Sequence, residues 1–279
     1  MTLKRRGFFT LAALVFALAR PVAPAWSTSP PGSPGEGEKY REYGGFTAAL
    51  GVAVLARPEF EGSNRYEIQT LPVVDLRWGL AFLSVNRGLG LELDVFDNHM
   101  LTVAPALRYR PGRDQDDSEL LRGLGDLDGG LEAGGTVSVQ PWPFPDFSLG
   151  FNVAIYQGLG RVDGLTLELG PRLAMEITPD LTGSLGATFV FADQKYNRRH
   201  FGVTPAQSLA SGYPVYDPGG GLKHTAFSGG LAYDLTEALE LGLTAEYKRL
   251  TGPAADSPLV KRGSANQFRS GLSLTYNFK

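Results

Sequence analysis

The sequence predicts an all-β chain that closes as a transmembrane antiparallel barrel of about twelve strands (ten at the lower bound), with short periplasmic turns and long extracellular loops. Three observations predict it. Side chains alternate with a period of two, the connections sort by length into odd and even classes, and an export signal stands at the N-terminus.

The signal comes first in the chain. Lys4, Arg5 and Arg6 form a positive n-region, Gly7 to Ala19 form an apolar run, and Ala23-Pro24-Ala25 is a small-residue site, so cleavage is expected between Ala25 and Trp26. The competing reading, a short buried helix opening a soluble domain, does not account for the order of these three parts. Arg5-Arg6-Gly7-Phe8-Phe9 also resembles a twin-arginine signal. That route carries folded cargo, whereas a barrel reaches the outer membrane unfolded, so the pair is read as incidental. Residues 26–43 (WSTSPPGSPGEGEKYREY) are rich in Pro, Gly, Ser and Glu and lack apolar surface to bury; they are expected to form a flexible periplasmic tail. The barrel is assigned to 44–279.

Within the barrel the period is two. Phe147, Leu149, Phe151, Val153 and Ile155 alternate with Ser148, Gly150, Asn152, Ala154 and Tyr156; Phe268, Leu272, Leu274, Tyr276 and Phe278 alternate with Arg269, Gly271, Ser273, Thr275 and Asn277. A helix would scatter such residues around its axis, so these are strands with one apolar and one polar or small face. Reading every such run places strands near 45–55, 66–77, 80–86, 89–96, 100–110, 129–140, 146–157, 163–176, 180–193, 224–235, 238–250 and 268–278. The second alternates poorly, and the third and fourth are short. The connections 56–65, 87–88, 111–128, 158–162, 194–223 and 251–267 form the odd class, which holds all three long loops. The even class (78–79, 97–99, 141–145, 178–179 and 236–237) contains only tight turns. A soluble sandwich has no reason to sort loops by parity, whereas an outer-membrane barrel does. A lipocalin-like barrel is the soluble alternative, but twelve strands leave too wide an interior to fill with apolar side chains.

Composition agrees and excludes several classes. The 279 residues carry a net charge of −3, which gives no footprint for a nucleic-acid partner. Without cysteine there is no disulfide scaffold, thiol nucleophile or thiolate metal site. Beyond the signal no apolar run is long enough for a membrane helix. Apolar side chains are expected to face lipid, with Tyr109, Phe147, Phe191, Tyr233, Tyr247 and Phe278 as interfacial aromatics.

FGVTPAQSLASGYPVYDPGGGLK at 201–223, ADSPLVKRGSANQFRSGLSLTYNF at 255–278 and LPVVDLRWG at 71–79 closely resemble the MipA/OmpV family of outer-membrane proteins, from about Gly44 to the C-terminus. The resemblance implies an outer-membrane barrel. It also implies, for some members, a scaffold joining a murein-degrading transglycosylase to a murein synthase, and for others a link to adhesion or stress response. Lys279 after Phe278 departs from the aromatic end common among outer-membrane proteins.

Inward-facing positions carry Glu92, Asp94, Arg108, Arg110, Glu132, Glu168, Arg172, Glu176, Glu240, Glu246 and Lys248. They allow two readings: a water-filled, selective pore, or charges of both signs that pair across the lumen and close it. Phe201, Pro205, Tyr213, Tyr216 and Asp217 mark the 194–223 loop, which is too long for a simple connector; it is expected to adopt a defined non-regular shape and constrict the outer mouth. Of three histidines, His99 lies on the periplasmic side, apart from His200 and His224, and no G-x-S-x-G elbow occurs, so a hydrolase site is not expected. Asp114, Asp116, Asp117 and Glu119 lack a calcium-loop spacing and read as a solvated acidic loop. No cofactor or metal is expected. The function expected is a non-enzymatic scaffold of the cell envelope, in contact with outer-membrane lipid, with a murein hydrolase and synthase as partners through the resemblance alone. The tail and the turn bearing Trp142 and Phe144 are its candidate periplasmic surfaces, although that Trp and Phe serve equally as interfacial anchors. A narrow diffusion pore is the alternative; an adhesin or hydrolase ranks below it. The oligomeric state is not legible.

Overall fold

The computed structural model describes residues 46–84, 89–98, 100–143 (backbone only at 141–143) and 147–278. The signal, its Ala25–Trp26 junction, the tail at 26–43, His99 and Phe144 lie outside the described residues, as does the side chain of Trp142.

The strands are β1 (Phe46–Pro58), β2 (Tyr66–Trp78), β3 (Ala81–Ser84), β4 (Gly90–Leu93 continued by Phe96–Asp97), β5 (Leu101–Arg110), β6 (Gly130–Pro143), β7 (Phe147–Gly158), β8 (Leu165–Thr178), β9 (Leu181–Ala192), β10 (Gly221–Asp234), β11 (Leu239–Leu250) and β12 (Asn266–Phe278). The two pieces of β4 both pair with β5, Gly90 opposite Arg108 and Phe96 opposite Val103, so they are one interrupted strand. Each strand pairs antiparallel with its sequence neighbours, β1 pairs with β12, and the ring of twelve closes. Closure leaves few backbone groups without partners, each of which would cost several kcal/mol in hydrocarbon.

The alternation in the sequence becomes the two faces of the wall. On β7, Phe147, Leu149, Phe151 and Ile155 point outward and are exposed, while Tyr156 is buried inside; on β12, Phe268, Leu272, Leu274, Tyr276 and Phe278 are all exposed. Apolar side chains that would be an error on a soluble surface are what lipid solvates. The irregular sector is the one whose strands are short or poorly patterned in sequence. β3 pairs with β2 only from Asp75 to Trp78, leaving Tyr66 to Val74 paired with β1 alone among the described residues.

The long connections do not form separate loops. Phe60 from β1–β2, Leu121 and Leu124 from β5–β6, Val203 and Tyr213 from β9–β10, and Leu259 from β11–β12 form one buried cluster. The β5–β6 and β11–β12 connections leave opposite sides of the ring, so a core shared between them crosses the mouth. A second cluster joins Ala192, Tyr196, Phe201, Leu250, Ala254 and Val260. The barrel thus carries a small apolar core of its own loops as a cap.

The 194–223 segment differs from the non-regular shape expected of it. It contains two helices, α1 (Gln194–Phe201) and α2 (Pro205–Ser211). Asp193 caps α1 by accepting from the Tyr196 amide, and Arg198, Arg199 and His200 occupy its last turn, where the helix dipole favours positive charge. Thr204 and Gln207 form a capping box on α2, Pro205 sits in its first turn, and Gly212 ends it at φ 72°. The β11–β12 connection adds α3 (Gly252–Ala255) and α4 (Pro258–Arg262). Strand β10 starts at Gly221 and not near 224, so Lys223 belongs to the wall.

Candidate functional site: the charged layer beneath the cap

The strand register places Arg108 and Arg110 on the inner face of β5, opposite Glu132 and Gly130 of β6. Glu132 is 1% exposed and takes both guanidinia, Arg108 Nε at 2.6 Å and Arg110 Nε at 2.7 Å. Arg108 reaches on to Glu168 of β8 at 2.9 Å and lies 3.6 Å over the ring of Tyr156 of β7. A buried carboxylate between two arginines is stable only because both partners are present; loss of one leaves a charge unpaired.

From Arg110 the network leaves the wall. Its Nη1 donates to the Tyr196 hydroxyl on α1 at 2.5 Å, and Lys223 of β10 donates to the same oxygen at 3.2 Å. Lys223 also meets Glu61 of the β1–β2 loop at 3.2 Å, and Lys248 of β11 meets Glu61 at 3.4 Å. A continuous polar chain therefore runs from β8 through β5, α1 and β10 to β11. β5 and β10 stand five places apart in the ring of twelve, nearly facing, so the chain crosses the bore. Glu61 itself is pushed upward by burial, but Lys223, Lys248 and His224 outweigh that and hold it well below the usual carboxylate range. His200 is driven well below the usual imidazole range by burial and by Arg110, Arg113 and Lys223, and so stays neutral.

Of the other inward charges expected from sequence, Lys248 joins this layer and Glu246 lies two residues along β11, 4.0 Å from Arg269. Asp94 is buried and pairs with Arg77 at 3.0 Å, near the short-turn end. Glu92 is half-buried opposite Phe82, and Arg172 is half-buried midway along β8. Glu240 is buried and Glu176 exposed at the short-turn end. The structure thus brings together Arg108, Arg110, Glu132, Glu168 and Lys248, and leaves the rest along the wall.

The marked residues of the long loop lie within or around the cap. Phe201 and Tyr213 are buried, with the Tyr213 hydroxyl donating to the Leu120 carbonyl at 3.0 Å. Tyr216 donates to the Pro253 carbonyl at 2.8 Å, Pro205 is exposed in the first turn of α2, and Asp217 is exposed and held by Arg198. Sequence reading missed Glu61, Tyr196 and Lys223. Tyr196 carried a signal, since Asp193 three residues before it is a helix N-cap; Glu61 carried none.

Ser208 and Ser211 bond to the backbone carbonyls of Tyr213 and Gln207 and to no histidine. Among the described residues no group of His, Asp and Glu is placed to hold a metal ion. Asp114 caps a 3-10 turn and Glu119 pairs with Arg65 at 2.9 Å.

A closed twelve-stranded antiparallel wall with an apolar outer face and a charged interior defines an outer-membrane β-barrel. The chain belongs to the MipA family: the family described as "MltA-interacting protein MipA" matches residues 50–278. No curated protein sequence matches it significantly. Solved structures of similar fold include the NanC porin (10% identity, 81% of this chain and 98% of that chain, TM-score 0.46) and a bacterial polysaccharide outer membrane secretin (11%, 83% and 98%, 0.45). OmpT of Vibrio cholerae is also similar (8% identity, 84% and 97% coverage, TM-score 0.37).

Proposed function

We propose that this chain is a non-enzymatic, normally closed barrel that serves as an outer-membrane anchor for the murein-processing machinery. The observation that carries the reading is the cap. Four connections bury one apolar core across the mouth, and a polar chain ties that core to facing walls beneath it. A molecule that closes its own bore twice over is built for something other than free diffusion. The family's name is that of a protein that interacts with MltA, a murein hydrolase, and such a partner works in the periplasm. The surfaces assigned to that contact are the short turns, with Trp142 at the end of β6 and not in the turn expected from sequence, Phe144 two residues further along the chain, and the tail at 26–43 freed by removal of the signal at Ala25–Trp26.

The test is capture of a purified murein hydrolase by detergent-solubilised full-length and 26–43-deleted protein. Capture by the full chain alone supports the reading. Equal capture by both removes the tail from it, and capture by neither removes the partner.

A gated narrow pore is the second reading, and one observation favours it. Besides the apolar cluster with Ala192 and Leu250, the cap meets the wall through ion pairs and a shared hydroxyl, contacts that water can replace more readily than an apolar seam.

A further inference from the structure

The solvent side of the cap carries an open groove between α4 and residues 213–216, the chain that leaves α2. Its volume is about 610 Å³, within the range of ligand sites. Pro214, Val215, Tyr216 and Pro258 supply apolar walls, with Asp256, Lys261 and Arg262 beside them. The surface next to the groove is apolar too, because α2 reverses the usual amphipathic pattern. Gln207 and Ser208 donate inward to the carbonyls of Leu124 and Tyr213, while Leu209 is 92% exposed and Val215, past the helix, 57% exposed. Exposed apolar surface rimmed by polar residues marks a contact site.

Two features set the chemistry of an occupant. Tyr216 and Val203 form one antiparallel rung: the Tyr216 N–H donates to the Val203 carbonyl at 2.9 Å, and the Val203 N–H to the Tyr216 carbonyl at 2.8 Å. Backbone groups alternate in direction along a strand, so those of Val215 face away from Val203, and they have no hydrogen-bond partner among the described residues. An N–H and a C=O open on one edge are what an added strand pairs with. The second feature is Arg262. Its guanidinium carbon lies 4.1 Å from the centre of the Tyr213 ring, and its Nη2 donates to the Gly212 carbonyl at 3.3 Å. Tyr213 is buried and tied to Leu120, so the ring is a fixed seat. Lys261 has Asp256 at 3.6 Å, whereas Arg262 is exposed and has no carboxylate among the described residues. Its remaining donors form a prepositioned fork for an acid.

We infer that this groove is a docking site for an extended acidic peptide segment of a partner on the outer side of the barrel. The segment adds one strand beside Val215, lays an apolar side chain on the wall of Pro214 and Pro258, and sets a carboxylate on Arg262. An open groove with one free strand edge suits a chain that enters and leaves it, which a small solute does not require. The inference is independent of any periplasmic partner, because the site lies at the opposite end of the barrel from the short turns.

The experiment is fluorescence anisotropy of a dye-labelled, N-acetylated Val-Glu-Val-Glu peptide titrated with the refolded full chain at pH 7.5. Saturable binding is expected, and the Val-Lys-Val-Lys peptide with the same dye should not bind. Arg262→Gln, a change at an exposed side chain, should weaken binding about threefold or more. Methylation of the peptide's backbone nitrogens removes its donors without touching the protein, so it guards against misfolding of the variant; it should cost about threefold or more as well. Absence of saturable binding, equal binding of the lysine peptide, or unchanged affinity in either Arg262→Gln or the methylated peptide overturns the site. Galacturonic acid that binds where the peptide does not would identify a sugar-acid site and overturn it too.

Discussion

Arg110 on β5 and Lys223 on β10 donate to a single oxygen, the Tyr196 hydroxyl, at 2.5 and 3.2 Å. The two strands nearly face each other across the barrel, and the hydroxyl belongs to the helix lying over the mouth. One atom thus links two walls and the cap. Both cations also lie near the face of the Tyr196 ring, at 4.6 and 4.9 Å from its centre, so the ring and its hydroxyl hold the same pair.

Tyr196→Phe keeps the ring and removes that oxygen. Two charged donors then lose a shared acceptor, a loss of about 1–3 kcal/mol. The expected outcome is a lower midpoint for urea unfolding, with faster proteolysis of the 194–220 segment and an unchanged strand content by circular dichroism. Equal protease resistance in both proteins would show that Tyr196 does not fasten the cap.

Glu132 gives a different prediction, because the wall depends on it. Glu132→Gln leaves Arg108 and Arg110 without the carboxylate they share in a buried position, which costs about 3–5 kcal/mol. The barrel should still form but convert to the unfolded electrophoretic mobility at a lower temperature than the wild type. A variant as heat-stable as the wild type would mean that water or Glu168 carries the load.

Acid should loosen the cap in two stages. His200 is held neutral, with a pKa below its unfolded value, so its contribution is present above about pH 6.5 and is lost as pH falls below that. Glu61 is likewise depressed, so its contribution is present above about pH 4.3 and is lost as pH falls further, toward its lower folded value. Stability measured from pH 8 to pH 3 should decline through both windows. In Glu61→Gln the lower stage should become shallower, and in His200→Gln the upper one. Flat stability from pH 8 to pH 5 in the wild type would contradict the assignment to His200.

Gly164 sits in the β7–β8 connection at φ 114°, and a Cβ there would stand 2.6 Å from the backbone of Tyr196. Gly164→Ala must therefore distort the turn and push α1 off its seat. Greater protease sensitivity at 194–220 with an intact barrel is expected; unchanged sensitivity would mean that α1 is not seated through this contact.

Sequence made the wall legible because lipid outside and water inside impose opposite demands on successive residues, as Phe147 to Tyr156 display. It made the sides legible because the long connections share one parity. The cap was harder to read. Thr204-Pro205-Ala206-Gln207 and Gly212 carry the start and stop of α2, yet loop composition hid them. Glu61 stands in a short loop with no local pattern and acquires its role only when Lys223 and Lys248 arrive from strands distant in sequence. The boundary near 224 also hid Lys223, since Gly219-Gly220-Gly221 reads as a turn and the register shift between Val190 and Phe191 displaces the pairing there.

Closure of the bore is the claim on which the rest depends, and single-channel recording of the refolded mature protein in a planar bilayer tests it most directly. The intact protein should be electrically silent, and replacement of residues 194–219 by a short glycine turn should produce discrete conductance steps. Steady steps from the intact protein, unaltered by that replacement, would contradict it.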